Sequence, residues 1–119
     1  MKYVMLIHQG DAPTPRDPEA WATLSEAEQT AVREDYQSLS AAPGVTPGQP
    51  LADPATATTV RVEDGRTLTT DGPFVAVKEA LGGYMVFEAD DLDAAIEMAS
   101  RIPAARLGGA VEVRPVEEW

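Results

Sequence analysis

The chain has 119 residues, 44% of them hydrophobic, enough for one compact core and too few for two ordinary domains, so residues 1–119 read as a single domain. Twenty acidic against nine basic residues give a net charge of −11, a field that repels phosphate backbones and argues against direct nucleic-acid binding. No cysteine is present, which removes disulfides, thiolate catalysis and zinc–thiolate sites together and suits a reducing compartment.

Lys2 to His8 is apolar on both faces of a β-alternation, Tyr3, Met5 and Ile7 on one side and Val4 and Leu6 on the other, as expected of a strand covered twice. The start lacks the features of an export signal, and no stretch approaches the roughly 20 apolar residues that span a bilayer. A soluble, cytoplasmic protein is therefore expected. Gly10 to Pro18 carries three prolines and reads as a loop and candidate lid. Asp17-Pro18 can cap a short turn containing Trp21.

Ser25-Glu26-Ala27-Glu28 has the spacing of a capping box and predicts a helix from Ser25 to Ser40. Its apolar stripe is Ala27, Ala31, Val32, Tyr36 and Leu39, with Glu26, Arg33 and Gln37 opposite. Val45 to Pro54 reads as an irregular crossing or a very short strand. Thr58 to Glu63 and Arg66 to Thr70 alternate around Asp64-Gly65, the signature of a tight hairpin. A hydrophobic strand follows from Gly83 to Glu88. Asp91 caps a second helix with the stripe Leu92, Ala95, Ile96 and Ala99, closed at Pro103, and Ala110 to Val116 is the last strand.

The order β-α-β-β-α-β with an extra β-hairpin predicts a ferredoxin-like α+β sandwich with the first and third strands central. Helices cover one face of such a sheet, so the second apolar face calls for a partner, most economically a second copy in a homodimer.

Asp71-Gly72-Pro73-Phe74, with Val75 to Tyr84 after it, is the least generic segment of the chain. With Met1 to Ile7, Ala57 to Arg61, Asp90 to Ala95 and Val111 to Pro115 it resembles the YCII-related family, in its DGPF-domain branch, over nearly the whole chain. The resemblance implies a dimeric α/β barrel. It also implies acid–base work by a histidine near the first helix paired with an acidic residue. The helix from Ser25 to Ser40 has no histidine, so neither that role nor dehydrochlorinase-type chemistry is carried over.

His8, the sole histidine, stands where a buried strand opens into a loop and is the natural acid–base candidate. It competes with the reading of an ordinary hydrogen-bonded strand end. Asp71 either faces a ligand cavity or caps neighbouring amides in the turn. Lys78 is positioned to orient an anion, or with Glu79 forms a surface ion pair. Gly82 and Gly83 permit close approach of a ligand or of another backbone, or mark a bulge. Arg114 is available to hold an anion. Catalytic His8 and Asp71, with Lys78, Gly82, Gly83 and Arg114 around the ligand, make up the candidate site.

No motif for a metal, nucleotide or other cofactor is present, and Asp90-Asp91-Leu92-Asp93 reads as favourable charge at a helix start. Two functions follow. One is a small cofactor-independent acid–base enzyme acting on a small organic molecule in a pocket of the dimeric barrel. The other, implied by resemblance to DGPF proteins found beside or fused to sigma factors, is a non-catalytic ligand-binding or regulatory accessory module.

Overall fold

The computed structural model of the chain describes residues 1–73 and 81–118. Strands β1 (Lys2–His8), β2 (Val45–Pro50), β5 (Leu81–Glu88) and β6 (Ala110–Pro115) form one antiparallel sheet in the order β2-β5-β1-β6. Strands β3 (Thr58–Glu63) and β4 (Arg66–Asp71) form a separate hairpin. The mixed α+β architecture, with the first and third sheet strands inside, is consistent with a ferredoxin-like fold.

Alternation along β1 decides which side of the sheet is covered. Tyr3, Met5 and Ile7 are buried against Leu39, Ala95, Met98, Ala99, Ile102 and Ala104, so the helices pack on that face. Val4, Leu6 and His8 point to the other face and are only half-buried. Their neighbours across the ladders include Val86, Tyr84, Glu112 and Arg114.

Helix α1 (Pro18–Trp21) starts where Asp17 accepts a hydrogen bond from the Ala20 amide, as the Asp-Pro pair predicts. Helix α2 (Glu26–Ser40) carries the complete capping box: the Glu28 amide donates to the Ser25 hydroxyl and the Ser25 amide to the Glu28 carboxylate, both at 3.1 Å. Those bonds hold the Glu28 carboxyl below its ordinary pKa, so the contribution is present above the unfolded value and lost as pH falls through the folded one. The buried stripe of α2 is narrower than the sequence predicts. Val32 and Leu39 are buried and Tyr36 half-buried, whereas Ala27 and Ala31 are exposed.

Helix α3 (Leu92–Ser100) is capped by Asp91, which accepts from the Ala94 amide at 2.8 Å. It buries Ala95, Met98 and Ala99, while Leu92 and Ile96 stay about half-exposed, so the buried stripe is rotated from the predicted one. The second helix ends at Ser100, before Pro103. Pro103 instead opens α4 (Pro103–Arg106), at a position where its missing N–H costs nothing. Val45–Pro50, left open between crossing and strand by sequence, is an edge strand whose ladder shifts between Pro47 and Pro50. An edge is where a strand tolerates prolines.

The hairpin turns at Asp64 and Gly65, both with positive φ, as the Asp-Gly pair predicts. At its base Gly72 also has positive φ (98°), its amide donates to the Ala57 carbonyl at 2.7 Å, and its carbonyl accepts from the Thr59 hydroxyl. Asp71 is exposed. Gly72→Ala is therefore expected to destabilise by about 1 kcal/mol through backbone strain alone, since a Cβ there meets nothing within 4 Å. Asp71→Ala should cost less. Chemical denaturation of both variants checks the order, and an equal or larger loss for Asp71 would make that carboxylate a structural cap.

Candidate functional site

A cavity of about 670 Å³ lies on the helix-covered side of the sheet, between α2, the 12–16 loop, α4 and the paired ends of β2 and β5. Ile7, Ala12, Val32, Met85 and Leu107 give it apolar walls. Gln9, Tyr36, Gln37, Ser40 and Gln49 supply polar groups, and Trp21, Arg16 and Arg33 complete the lining. A second, more polar hollow of about 570 Å³ adjoins it and shares Gln9, Ala12, Thr14, Arg16 and Gly82.

The loop after β1 is held in place. The Ala12 amide donates to the Gln9 carbonyl at 2.8 Å, the Asp11 amide to the Gly108 carbonyl at 3.4 Å, and the Arg16 guanidinium to the Leu51 carbonyl. Because Leu51 in turn donates to the Gly82 carbonyl at 2.9 Å, the loop, the end of β2 and the start of β5 form one connected rim. The Arg33 guanidinium lies 5.4 Å from the centre of the Trp21 ring, a cation–π contact between α2 and α1.

Tyr36 is the titratable group with a perturbed environment here. Burial pushes its phenol pKa above the ordinary 10, while hydrogen bonds with the Gln9 side chain and the Ala104 backbone, and the Arg106 charge, pull the other way. Arg106 itself is paired to Asp35 at 2.7 Å. The phenol is therefore neutral at physiological pH and able to donate a hydrogen bond.

The sequence-predicted site residues are distributed over three places. Gly82 and Gly83 line the cavity. A Cβ on Gly82 would lie 2.3 Å from Gln9 Cγ, so the missing side chain there makes room for Gln9, the partner of Tyr36. At Gly83 a Cβ would make only ordinary contacts, 3.4 Å or more, so space does not require glycine there.

His8 and Arg114 are brought together on the face of the sheet away from the helices. The His8 Nε2 lies 3.8 Å from the Glu112 carboxylate, which also accepts from the Arg114 guanidinium. Asp71 pairs with Thr58 in the hairpin, and neither it nor His8 is among the residues lining the two hollows. Lys78 falls outside the described residues. Tyr36, Gln9, Arg16 and Arg33 were not singled out by sequence: Tyr36 sits in a helix stripe like any core aromatic, and the two arginines look like solvated charges. Among the described residues no group of three or more His, Cys, Asp or Glu side chains could hold a metal ion.

Residues 1–119 match the YCII-related domain. The chain belongs to the YCII-related family. It is also 36% identical over 67 residues to an uncharacterised protein of Rhizobium meliloti (strain 1021), a match covering 56% of this chain and 54% of that one. The aligned segment thus spans about half the length of the curated relative it matches. No helix among the described residues is long and apolar enough to cross a membrane.

Proposed function

We propose that this YCII-related protein binds a small organic molecule in the cavity beneath α2 and acts on it without a cofactor, with Tyr36 as the hydrogen-bond donor. The observation that carries this reading is the cavity itself. Its volume of about 670 Å³ falls within the range of small-molecule sites, and its apolar walls hold a few convergent polar groups. A neutral, partly buried phenol facing such a space stabilises negative charge developing on a ligand oxygen. Gly82 serves the site by admitting Gln9, and Gly83 by lining it. Asp71 and Lys78 have no part in this reading.

A metabolite thermal-shift screen tests it, because a ligand that binds the native state must raise the midpoint. Hits are expected to perturb the amides of Gln9, Gly82 and Gly83, and Tyr36→Phe should weaken them about five- to tenfold by loss of one hydrogen bond. Conversion of a hit into product marks an enzyme, and its unchanged recovery marks the accessory-module alternative. Hits that shift only His8 and Glu112 would overturn the assignment of the site.

The phenol also has a signature of its own. Its folded pKa lies above the unfolded value, so its contribution to stability is complete below about pH 10 and is lost as pH rises beyond that. Denaturation at pH 8 and 11 should show a steeper loss for the native chain than for Tyr36→Phe. Equal losses would mean the phenol ionises freely.

His8, Glu112 and Arg114 favour a second component of the reading, a homodimer. The face that carries them has Val4, Leu6 and Val86 at its centre and, among the described residues, no helix packed in the core cluster on that side. A second copy packing sheet to sheet would bury those residues and close over His8, giving the dimeric barrel. Light scattering is expected to return about twice the 12.7 kDa chain mass. A monodisperse monomer at micromolar concentration would remove this part of the proposal and leave the cavity untouched.

A further inference from the structure

The cavity is charged in the opposite sense to the molecule that contains it. The chain carries twenty acidic and nine basic residues, yet the only charged side chains among the described residues lining the larger hollow are Arg16 and Arg33. Three of the other arginines are paired with carboxylates: Arg101 meets Glu97, Arg106 meets Asp35 and Arg114 meets Glu112. Among the described residues Arg16 and Arg33 have no such partner. Arg16 donates to a neutral carbonyl, that of Leu51, and Arg33 lies over the Trp21 ring.

A guanidinium carries five N–H donors in a planar fork, so each of these two keeps donors to spare. Both arginines are exposed at the rim, while the interior behind them is lined by Ile7, Val32, Met85 and Leu107. An arginine fork at the mouth of an apolar space suits a ligand with one anionic end and a hydrocarbon body. The distribution of charge thus defines a ligand class that the shape of the cavity alone does not.

We propose that the cavity selects a small organic monocarboxylate, its carboxylate held at the rim by Arg33 and Arg16 and its ring or hydrocarbon body in the apolar interior, with Tyr36 donating to a polar group on that body. This rests on the reading of the cavity as a small-molecule site. Net repulsion from the acidic surface disfavours anions in general. Selection therefore has to come from these two local contacts, and that makes it testable by removing them.

The experiment titrates the intact chain with 2-naphthoate and with 2-naphthamide, a neutral analogue of similar shape, following the amides of Gln9, Gly82 and Gly83 by NMR. Both should shift these amides, the carboxylate binding about tenfold more tightly, the worth of one charge-assisted hydrogen bond. Arg33→Gln and Arg16→Gln should each weaken the carboxylate more than the neutral naphthamide. The comparison of the two probes on the native chain needs no variant. Thermal melts check that the exposed-site variants fold. Equal binding of the two probes, or equal weakening of both by the variants, would overturn the anion selectivity and leave the cavity reading standing. No shift of the cavity amides by either probe at millimolar concentration would defeat the cavity reading, and the selectivity with it.

Discussion

Gly109→Ala is expected to lower the stability of the chain by about 3 kcal/mol, through overpacking against atoms that cannot move aside. A Cβ at this position would lie 2.3 Å from the His8 carbonyl oxygen, 2.6 Å from that of Gln9 and 3.0 Å from that of Ala104. All three are backbone atoms. One belongs to the last residue of β1, where His8 pairs with Ala110 of β6, one to Gln9 just after it, and the third accepts the Gly109 amide at 2.9 Å. Relief requires parting β6 from β1 or lifting α4, and either breaks hydrogen bonds that position Gln9 and Ala104 around Tyr36. Gly65→Ala is the control, since a Cβ there meets nothing within 4 Å and only the positive φ of 75° is strained, at about 1 kcal/mol. For a chain of this size the two variants should differ in melting midpoint by roughly 10 °C. A loss at Gly109 no greater than at Gly65 would show that β1 and β6 yield easily at this end, and the Gln9–Tyr36 contact would then have no rigid support.

The elements that sequence specified well are those whose signals are local. The Ser25–Glu28 capping box, the Asp91 cap and the Asp64-Gly65 turn each depend on a few adjacent residues, and each is present in the structure. Val45–Pro50 was ambiguous because its prolines argue against a strand unless the strand is an edge, and edge position is a property of the whole sheet. The α3 stripe was rotated for a related reason. Leu92 and Ile96 satisfy helical spacing as well as Met98 does, and only the placement of Ile102 and α4 decides which side faces the sheet. Pro103 gave the same local signal whether it ended one helix or began the next.

The candidate site was less legible than the fold, because its members are ordinary residues made special by what lies beside them. Gly82 stands out in the sequence for lacking a side chain, but that Gln9 fills the space is a tertiary fact. Arg33 was placed opposite the apolar stripe of α2. It lies instead on the adjoining flank, lining the cavity together with Val32 and Tyr36. Tyr36 matched the core stripe and is only half-buried, its ring among core residues and its phenol on Gln9 and Ala104. His8 drew attention as the sole histidine, and the structure gives it Glu112 and Arg114 as neighbours on the face away from the helices.

Ile102→Ala is the other substitution with a large expected effect, a loss of about 3–4 kcal/mol. Ile102 is wholly buried at the joint between α3 and α4, its amide donating to the Ala99 carbonyl and its carbonyl accepting from the Ala105 amide. Truncation removes three methyl-sized groups from a space bounded by the sheet and both helices, where partial collapse leaves a void. Ile102→Val, which removes one such group, should cost about 1 kcal/mol. The consequence for the site is specific, because α4 and its C-cap carry Ala104 and Leu107 into the cavity wall and the Ala104 backbone holds Tyr36. A loosened joint should therefore weaken cavity ligands along with the fold, while Ile102→Val keeps both near native. Denaturation of the two variants, paired with the naphthoate titration, reads both effects. A loss at Ile102→Ala as small as that at Ile102→Val would mean the α3–α4 joint closes around the missing atoms. Unchanged affinity in Ile102→Ala would mean that the cavity wall does not depend on α4 being held in place.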